Sequence, residues 1–341
     1  MMARQPRKRP STMSDIAREA GVSQTTVSFV LNNNASSASI PAETRARILQ
    51  EAKKLSYRPN LAAKTLRTNQ THTIGFITDE IATTPYAVNI IQGAQDAAWA
   101  NGKLLLIVNT GSDATVTEKA IEMMLERRIE GLLYAAMYHH EITLPANFYE
   151  GSAVLVDCFC ADRSLPSVVP DEIQGGRTAT EELLKKGHRR IGFINDVNPI
   201  PASAGRLEGY RQALQAYDIP FDENLVRYHA RTSKGGYQGT LELLQLPEPP
   251  TAIFCFSDFM AMGAYDALRT SGVSIPGEVA VIGFDNHELI AAQLSPPLSS
   301  MQLPHYEMGK WAIEYLLQHT DESLPPVQHT LECPYIERLS I

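Results

Sequence analysis

Apolar residues change rhythm along this chain. Over the first 57 residues they recur three or four apart in short runs. Ile16, Ala17 and Ala20 share one side of Ser14–Ala20, and Val27, Val30 and Leu31 cluster on one side of residues 24–32. Ile48, Ala52 and Leu55 do the same within ETRARILQEAKKL. That spacing is one face of a helix, so short amphipathic helices are predicted in this region. Thr12 or Ser14 can cap the first, Gly21 breaks it, Ser23 can cap the second, and Pro41 sits where the third can begin. A helix, a tight turn containing Gly and a second short helix form a helix-turn-helix pattern. The polar stretch NNNASSAS (32–39) continues a helix poorly and reads as a loop.

RPNLAAKTLRTNQ follows (58–70). Pro59 holds Arg58 extended, and Asn60 can cap a two-turn segment, Leu61–Arg67. So short a helix is not stable alone in water, so helix is expected here only against a partner.

From Thr73 the pattern turns to continuous apolar runs: IGFIT (74–78), LLLIV (104–108), GLLYAA (131–136), AVLVD (153–157), RIGFI (190–194), AIFCF (252–256) and VAVIGFD (279–285). Amphipathic segments lie between them: Val88–Ala100, Lys119–Arg128, Thr178–Lys186, Leu207–Tyr217 and Ala261–Ser271. Apolar strands alternating with helices imply parallel sheets covered on both faces. The roughly 270 residues involved exceed what one sheet-centred core usually holds, so two α/β lobes are expected.

Charge divides the chain in the same place. Residues 1–70 carry 12 Lys+Arg against 4 Asp+Glu, and the remaining 18 basic and 34 acidic residues give the body a net charge of −16. A basic head on an acidic body is the footprint of a nucleic-acid-binding module joined to something that binds elsewhere. No run of 18 apolar residues suits a membrane span, and the basic N-terminus has no apolar stretch after it, so a cytoplasmic protein is expected. Cys158, Cys160, Cys255 and Cys333 lie mostly within apolar runs without zinc or CxxC spacing, and read as reduced, buried thiols.

On a helical wheel Thr25, Ser28, Phe29 and Asn32 lie opposite the apolar stripe of residues 24–32, with Gln24 at the margin. Gln24 and Thr25 can hydrogen-bond base edges, and an outward Phe29 can contact a thymine methyl. Ser23, Thr26, Ser28 and Asn32 can reach phosphates with neutral donors. No Lys or Arg lies in GVSQTTVSFVLNNN, so charge attraction falls to the basic residues around it.

SDIAREAGVSQTTVSFVLNNN with PAETRARILQEAKKLSYRPNLAAKTLRT resembles the head of the lactose-repressor (LacI/GalR) family of bacterial transcription regulators. The resemblance continues through IGFITD, GHRRIGFI, RLEGY, SDFMAMGA, IPGEVAVIGFDN and PPLSSMQ, and so spans residues 11–341. It implies an N-terminal all-α helix-turn-helix head (11–58), a hinge helix and linker (59–71), and a C-terminal α/β periplasmic-binding-protein-like core (72–341). That core would have two parallel-sheet lobes, 72–162 with 291–322 and 163–290 with 323–341, joined by three chain crossings. Gln24 and Thr25 match the family's base-reading positions, and Phe29 a variable, often basic one. Leu66 matches the family's minor-groove lever, with Ala63 and Lys64 beside it. Tyr57, Asn60 and Arg67 complete the implied DNA contacts. Apolar wedges that kink DNA at the minor groove make the lever physically sensible. Dimers of such heads bind a pseudo-palindrome of double-stranded operator DNA.

Ligands of open α/β sheets bind at the strand ends. Those ends offer Asp79, Thr84 and Tyr86 in the next loop, Asp157, Ser257 with Asp258, and Asp285, plus Arg206 at a helix start. Carboxylates that accept hydroxyl hydrogens and a guanidinium fork suit a polyhydroxylated ligand. Arg206 and Asp285 match the family's effector-binding Arg and Asp, and Asp258 matches the Asp of an Asn-Asp pair in which Ser257 replaces the Asn. The resemblance implies a homodimeric regulator, a repressor of carbohydrate or related catabolic genes, that responds to a sugar or sugar derivative. No cofactor, metal, membrane or catalytic role is expected: no GxGxxG, GxxxxGK[ST] or GxSxG motif is present. GGYQG (235–239) and His139-His140 read as isolated and solvent-facing. The competing classes are a solute-binding protein for transport and an α/β enzyme with a regulatory head.

Overall fold

The computed structural model describes residues 9, 11–32, 35–57, 70–85, 87–319 and 325–341. It divides into two compact units, Met1–Thr71 and His72–Ile341.

The head contains α1 (Met13–Ala20), α2 (Gln24–Leu31) and α3 (Ala42–Lys54). Thr12 and Asp15 cap α1 reciprocally: the Asp15 amide donates to Thr12 Oγ1 at 3.3 Å and the Thr12 amide to Asp15 Oδ2 at 2.8 Å. Gly21 ends α1 in the left-handed region at φ 63°. Ser23 Oγ accepts the Thr26 amide at 3.1 Å and starts α2. Ile16, Ala17, Ala20, Val27 and Ile48 form the buried centre, with Val30, Leu31, Leu55 and Tyr57 packed on it. The stretch expected as a plain loop holds a 3₁₀ turn, Ala35–Ser39, a common form of short connector. The expected two-turn helix at Leu61–Arg67 lies outside the described residues.

In the second unit the chain forms β1 (Thr73–Thr78), α4 (Val88–Ala100), β2 (Leu104–Asn109), α5 (Ala114–Glu126), β3 (Leu132–Glu141), β4 (Ala153–Phe159) and β5 (Ser167–Pro170). It crosses into a second lobe with α6 (Glu172–Lys185), β6 (Ile191–Asp196), α7 (Pro201–Ala216), β7 (Val226–His229), α8 (Ser233–Leu244), β8 (Ala252–Cys255), α9 (Asp258–Thr270), β9 (Ala280–Asp285), α10 (Glu288–Ala291) and β10 (Ser299–Gln302). It returns for α11 (His305–Gln318) and β11 (Gln328–Leu331), and finishes in the second lobe with β12 (Tyr335–Ile336). The first sheet runs β11-β5-β4-β3-β1-β2, all parallel. The second runs β12-β10-β9-β8-β6-β7, parallel except where β12 opposes β10. The four cysteines are free and buried.

The expected lobe boundaries need correction. β5 pairs with β4, so the first crossing falls after Pro170, not at 163. β10 pairs with β9, so residues 299–302 belong to the second lobe, and β11 pairs with β5, so 328–331 belong to the first. These strands are only four residues long and each includes polar residues, so hydrophobic runs do not reveal them. Helices α5, α6, α7 and α9 all begin earlier than the apolar stripes suggest. Asp113, Asp171 and Ser257 accept first-turn amides, so the turn forms before the stripe starts.

Helices meet at very close range within each lobe. A Cβ on Gly236 would stand 1.9 Å from the Met260 carbonyl oxygen, and one on Gly263 1.8 Å from that of Ser233. The GGYQG stretch is therefore the packing face of α8 against α9, not a solvent-facing loop. Gly176 and Gly209 play the same part where α6 meets α7. That contact brings Glu172 at the start of α6 beside Arg206 on α7.

Candidate effector cleft and DNA-reading helix

On α2 the polar residues face away from the head's core. Ser23, Gln24 and Thr25 are exposed, and Thr26, Ser28, Phe29 and Asn32 half-buried. Phe29 has no part in the core cluster that Val27, Val30 and Leu31 join. Gln24 Oε1 accepts from Ser14 Oγ at 3.2 Å, and Asn32 Nδ2 donates to the Ser28 carbonyl at 2.8 Å. Tyr57 differs from the others: it packs on the core, and burial raises its phenol pKa. Asn60, Ala63, Lys64, Leu66 and Arg67 lie outside the described residues, as does Tyr86.

In the second unit the parallel strands deliver their C-terminal ends to the space between the lobes. Arg206 is the centre of this site, with its side chain 3% exposed. Its Nε donates to Glu172 Oε2 at 2.7 Å, its Nη1 to the Phe256 carbonyl, and Asp285 Oδ1 lies 3.8 Å away. The guanidinium carbon sits 3.6 Å from the Phe284 ring centroid and 4.3 Å from that of Phe256. Such a cage fixes the fork rigidly.

Asp157, from the first lobe, faces this cage. Its backbone is left-handed at φ 57°, and its buried Oδ1 has no hydrogen-bond partner. Burial, reinforced by the Glu172 charge, pushes its carboxyl well above the usual range, while Arg206 opposes the shift. The void lined by Asp157, Arg206, Glu172, Tyr138 and His139 is about 10 Å³, room for about one water molecule. On one side it borders a cavity of about 270 Å³ lined by Thr84, Met137, Tyr138, Ser257, Phe259 and Asp285, among others. On the hinge side a cavity of about 480 Å³ reaches Pro170, Glu172, Pro201 and Thr330.

Asp157, Arg206 and Asp285 are thus brought together, with Thr84 and Ser257 in the adjoining wall. Thr84 Oγ1 donates to the Met137 sulfur at 3.4 Å, and Ser257 caps α9 by accepting the Met260 amide at 3.3 Å. Asp258 is otherwise engaged. It is fully buried, with one oxygen accepting the His287 amide at 2.6 Å and the other the Ser300 hydroxyl at 2.7 Å. It therefore organises the loop after β9 instead of facing a ligand. Asp79 similarly accepts the amides of Glu80 and Met137.

The His139-His140 pair is not solvent-facing. His139 lines the narrow void, its Nδ1 is buried without a hydrogen-bond partner, and burial lowers its pKa to about 4. His140 stacks on Tyr138 with centroids 4.4 Å apart. Glu172, Tyr138, His139, Phe259 and Arg231 also line the cleft and escaped the sequence reading. Only the PDE at the β5–α6 junction offered a signal, an acidic residue opening a helix after a strand.

Among the described residues no helix is long and apolar enough to cross a membrane. The family model for periplasmic binding proteins and the sugar-binding domain of the LacI family matches residues 71–338, and that for bacterial regulatory proteins of the lacI family matches residues 12–60. The ribose operon repressor of Haemophilus influenzae is 32% identical over 315 residues, 90% of this chain and 91% of that one. The lac repressor dimer bound to operator and the anti-inducer ONPF matches with a TM-score of 0.77 at 25% identity, over 97% of this chain and 99% of that one. The transcriptional regulator CelR in complex with cellobiose matches at 0.66 and 28% identity, over 97% and 99%. With both family models matched in order, and relatives aligned over nearly their whole length, this chain belongs to the LacI family of bacterial regulatory proteins.

Proposed function

We propose that this regulator is a cytoplasmic homodimer that represses carbohydrate or related catabolic genes and responds to an uncharged sugar or sugar derivative bound between the lobes. Asp157 Oδ1 carries the ligand part of the reading: a buried carboxyl oxygen without a partner, across a small void from a caged guanidinium. A ligand hydroxyl supplies what that oxygen lacks, because it donates to the carboxyl and can also accept from the fork. Arg206 and Asp285 complete that contact, with Thr84, Ser257 and Tyr86 at its edge; the role of Tyr86 rests on sequence alone. Asp258 acts behind the site by holding the loop that carries His287.

On the DNA side Gln24 and Thr25 read base edges from the start of α2, and Phe29 contacts a thymine methyl. Ser23, Thr26, Ser28 and Asn32 engage phosphates, with Tyr57 and Asn60 at the margin. Ala63, Lys64, Leu66 and Arg67 enter the minor groove. The exposure of Gln24 and Thr25, and the absence of Phe29 from the head's core, support this assignment. A solute-binding protein for transport has no use for such a head, and among the described residues nothing in the cleft joins a nucleophile to a base, which favours binding over catalysis.

The test uses a duplex selected by the full chain from a random pool, titrated in a mobility-shift assay with sugars and nucleosides. At least one ligand should change the midpoint tenfold or more, and Asp157→Asn or Arg206→Ala should abolish that change without preventing DNA binding. Operator must change ligand affinity by the same factor, because linkage is reciprocal. A shift insensitive to every ligand would leave a constitutive DNA binder.

A further inference from the structure

One side-chain hydrogen bond in the head joins its first two helices. Ser14 Oγ donates to Gln24 Oε1 at 3.2 Å, from the first turn of α1 to the first turn of α2. Both side chains are exposed, so water competes for the bond and it adds little to the stability of the head. The Ser23–Thr26 bond, at 2.8 Å, and the Asn32–Ser28 bond, at 3.2 Å, stay within α2 and its caps. The Ser14 bond instead ties Gln24 to a different helix, and that helix has its own anchors. Ser11 Oγ donates to the Leu55 carbonyl at 2.9 Å, Thr12 and Asp15 cap α1, and Ile16 and Ala17 share a core with Val27. Ser14 is therefore a hydroxyl on a short side chain whose backbone is fixed.

Gln24 has a long, flexible side chain, and the two ends of its amide differ: the oxygen accepts and the nitrogen donates twice. Unrestrained, such an amide offers a base either end or both together. A hydroxyl that donates to Oε1 turns the oxygen toward α1, and Nε2 with its two hydrogens is the end left for DNA. The major groove distinguishes bases by this property. Guanine presents two neighbouring acceptors, N7 and O6, whereas adenine sets its N6 donor beside N7 and takes up both ends of a glutamine amide. Adenine therefore competes with Ser14 for Oε1, and guanine does not. Holding one rotamer-rich side chain in place beforehand is worth roughly two- to twelvefold in affinity, and an exposed bond belongs near the lower end.

We infer that Ser14 is a positioning residue for sequence recognition: it holds the Gln24 amide with its donor end outward and so sets guanine as the base that Gln24 reads. This rests on the reading of Gln24 as a base-edge contact, and goes further by naming the base and the residue, outside the recognition helix, that selects it. The composition of α2 gives the device its place. Arg and Lys are the usual donor-only partners of guanine, and neither occurs in GVSQTTVSFVLNNN. A glutamine held by its oxygen presents the same donor-only face without a charge.

Selection of duplexes from a random pool by the full chain, followed by mobility-shift titration of single-base variants of the selected duplex, tests it. Gln24→Ala should lose preference at one base pair in each half-site, which marks the position that Gln24 reads, and wild type should select a G·C pair there. Ser14→Ala should lower the G·C over A·T affinity ratio at that position about threefold or more and leave the ratios elsewhere within about twofold. The ratio compares two duplexes on one protein, so a loss of folded fraction cancels. Ser14→Thr keeps the hydroxyl and should restore the ratio. The inference is overturned if wild type prefers an A·T pair at the Gln24 position or if Ser14→Ala leaves the ratio unchanged. It is also overturned if Ser14→Ala weakens both duplexes equally, the pattern of a phosphate contact. Selections in which Gln24→Ala alters no position would instead overturn the base reading on which the inference rests.

Discussion

Truncating Glu172 isolates the energetic weight of the cleft. The Arg206–Glu172 pair is 3% and 5% exposed at 2.7 Å, so it falls in the buried class, where removing one partner costs about 3–5 kcal/mol. An exposed pair would be worth only about 0–1 kcal/mol. Asp285 at 3.8 Å and the Phe256 carbonyl remain as partial partners for Arg206, which puts the Glu172→Ala cost near the lower end, about 3 kcal/mol. Glu172 also opens α6, where a negative charge favours the helix dipole by about 0.3–1 kcal/mol. The combined loss, about 3–4 kcal/mol, corresponds to a fall in melting temperature of roughly 6–16 °C at about 2–4 °C per kcal/mol for a unit of this size. Glu172→Gln keeps an acceptor oxygen and should lose roughly half as much. Thermal melts followed by circular dichroism, with Glu181→Ala as a surface-pair control, decide the matter. A Glu172→Ala melt indistinguishable from that control would refute the buried-pair reasoning.

Asp157→Asn should stabilise the protein at neutral pH. The native state keeps the Asp157 proton to higher pH than the unfolded chain does, so wild-type stability falls as pH rises above the ordinary carboxylate pKa. Asn removes that fall, so its advantage over wild type should shrink as pH drops toward 4; parallel melting-temperature profiles for the two would contradict it. Phe29→Ala should relax preference at one base pair per half-site in binding selections and change head stability by less than about 1 kcal/mol, because the ring lies outside the core. A melt lowered well beyond that would mean the ring packs inward. Leu66→Ala should weaken specific DNA binding more than nonspecific binding, and equal losses in both would sink its assignment as a minor-groove wedge.

How much the sequence revealed depended on whether local chemistry or tertiary assembly decided the outcome. The head was legible because Thr12, Gly21 and Ser23 set their own backbone geometry as caps and breaker, whatever surrounds them. The long apolar strands were legible for a similar reason, since burial on both faces leaves IGFIT and AVLVD apolar up to their last residue. β7, β10 and β11 escaped because VRYH, SSMQ and QHTL are short and half polar, and only their neighbours in the sheet make them strands. Asp157, Arg206 and Asp285, which the fold brings together, could be singled out because strand ends and helix starts at a sheet edge face the cleft. Tyr138 and His139 could not. They extend β3 beyond its apolar run, and a register shift between Ala135 and His140 alters which side each residue faces. Asp258 sat at the expected kind of position, yet its two oxygens were already claimed by the His287 amide and the Ser300 hydroxyl, which no local pattern discloses.

Several groups that oppose stability lie where the lobes meet. Asp157 and Asp285 both hold backbone conformations unusual for a residue with a side chain, at φ 57° and 104°. Asp157 adds a buried oxygen without a hydrogen bond, and the nearby His139 a buried nitrogen. On the proposed contact, a ligand hydroxyl that reaches Asp157 from the first lobe and Arg206 from the second satisfies the Asp157 oxygen, but only while the lobes stand at a separation that lets one molecule span them. An open arrangement can offer such a ligand one half of the contact or the other. On that proposal the affinity difference between the two arrangements originates in the same buried groups that strain the unliganded protein, and that difference is the most by which any effector can shift the lobe equilibrium. Replacing the strained carboxyl with an uncharged amide should accordingly give a protein that is more stable at neutral pH and has lost its response to the ligand.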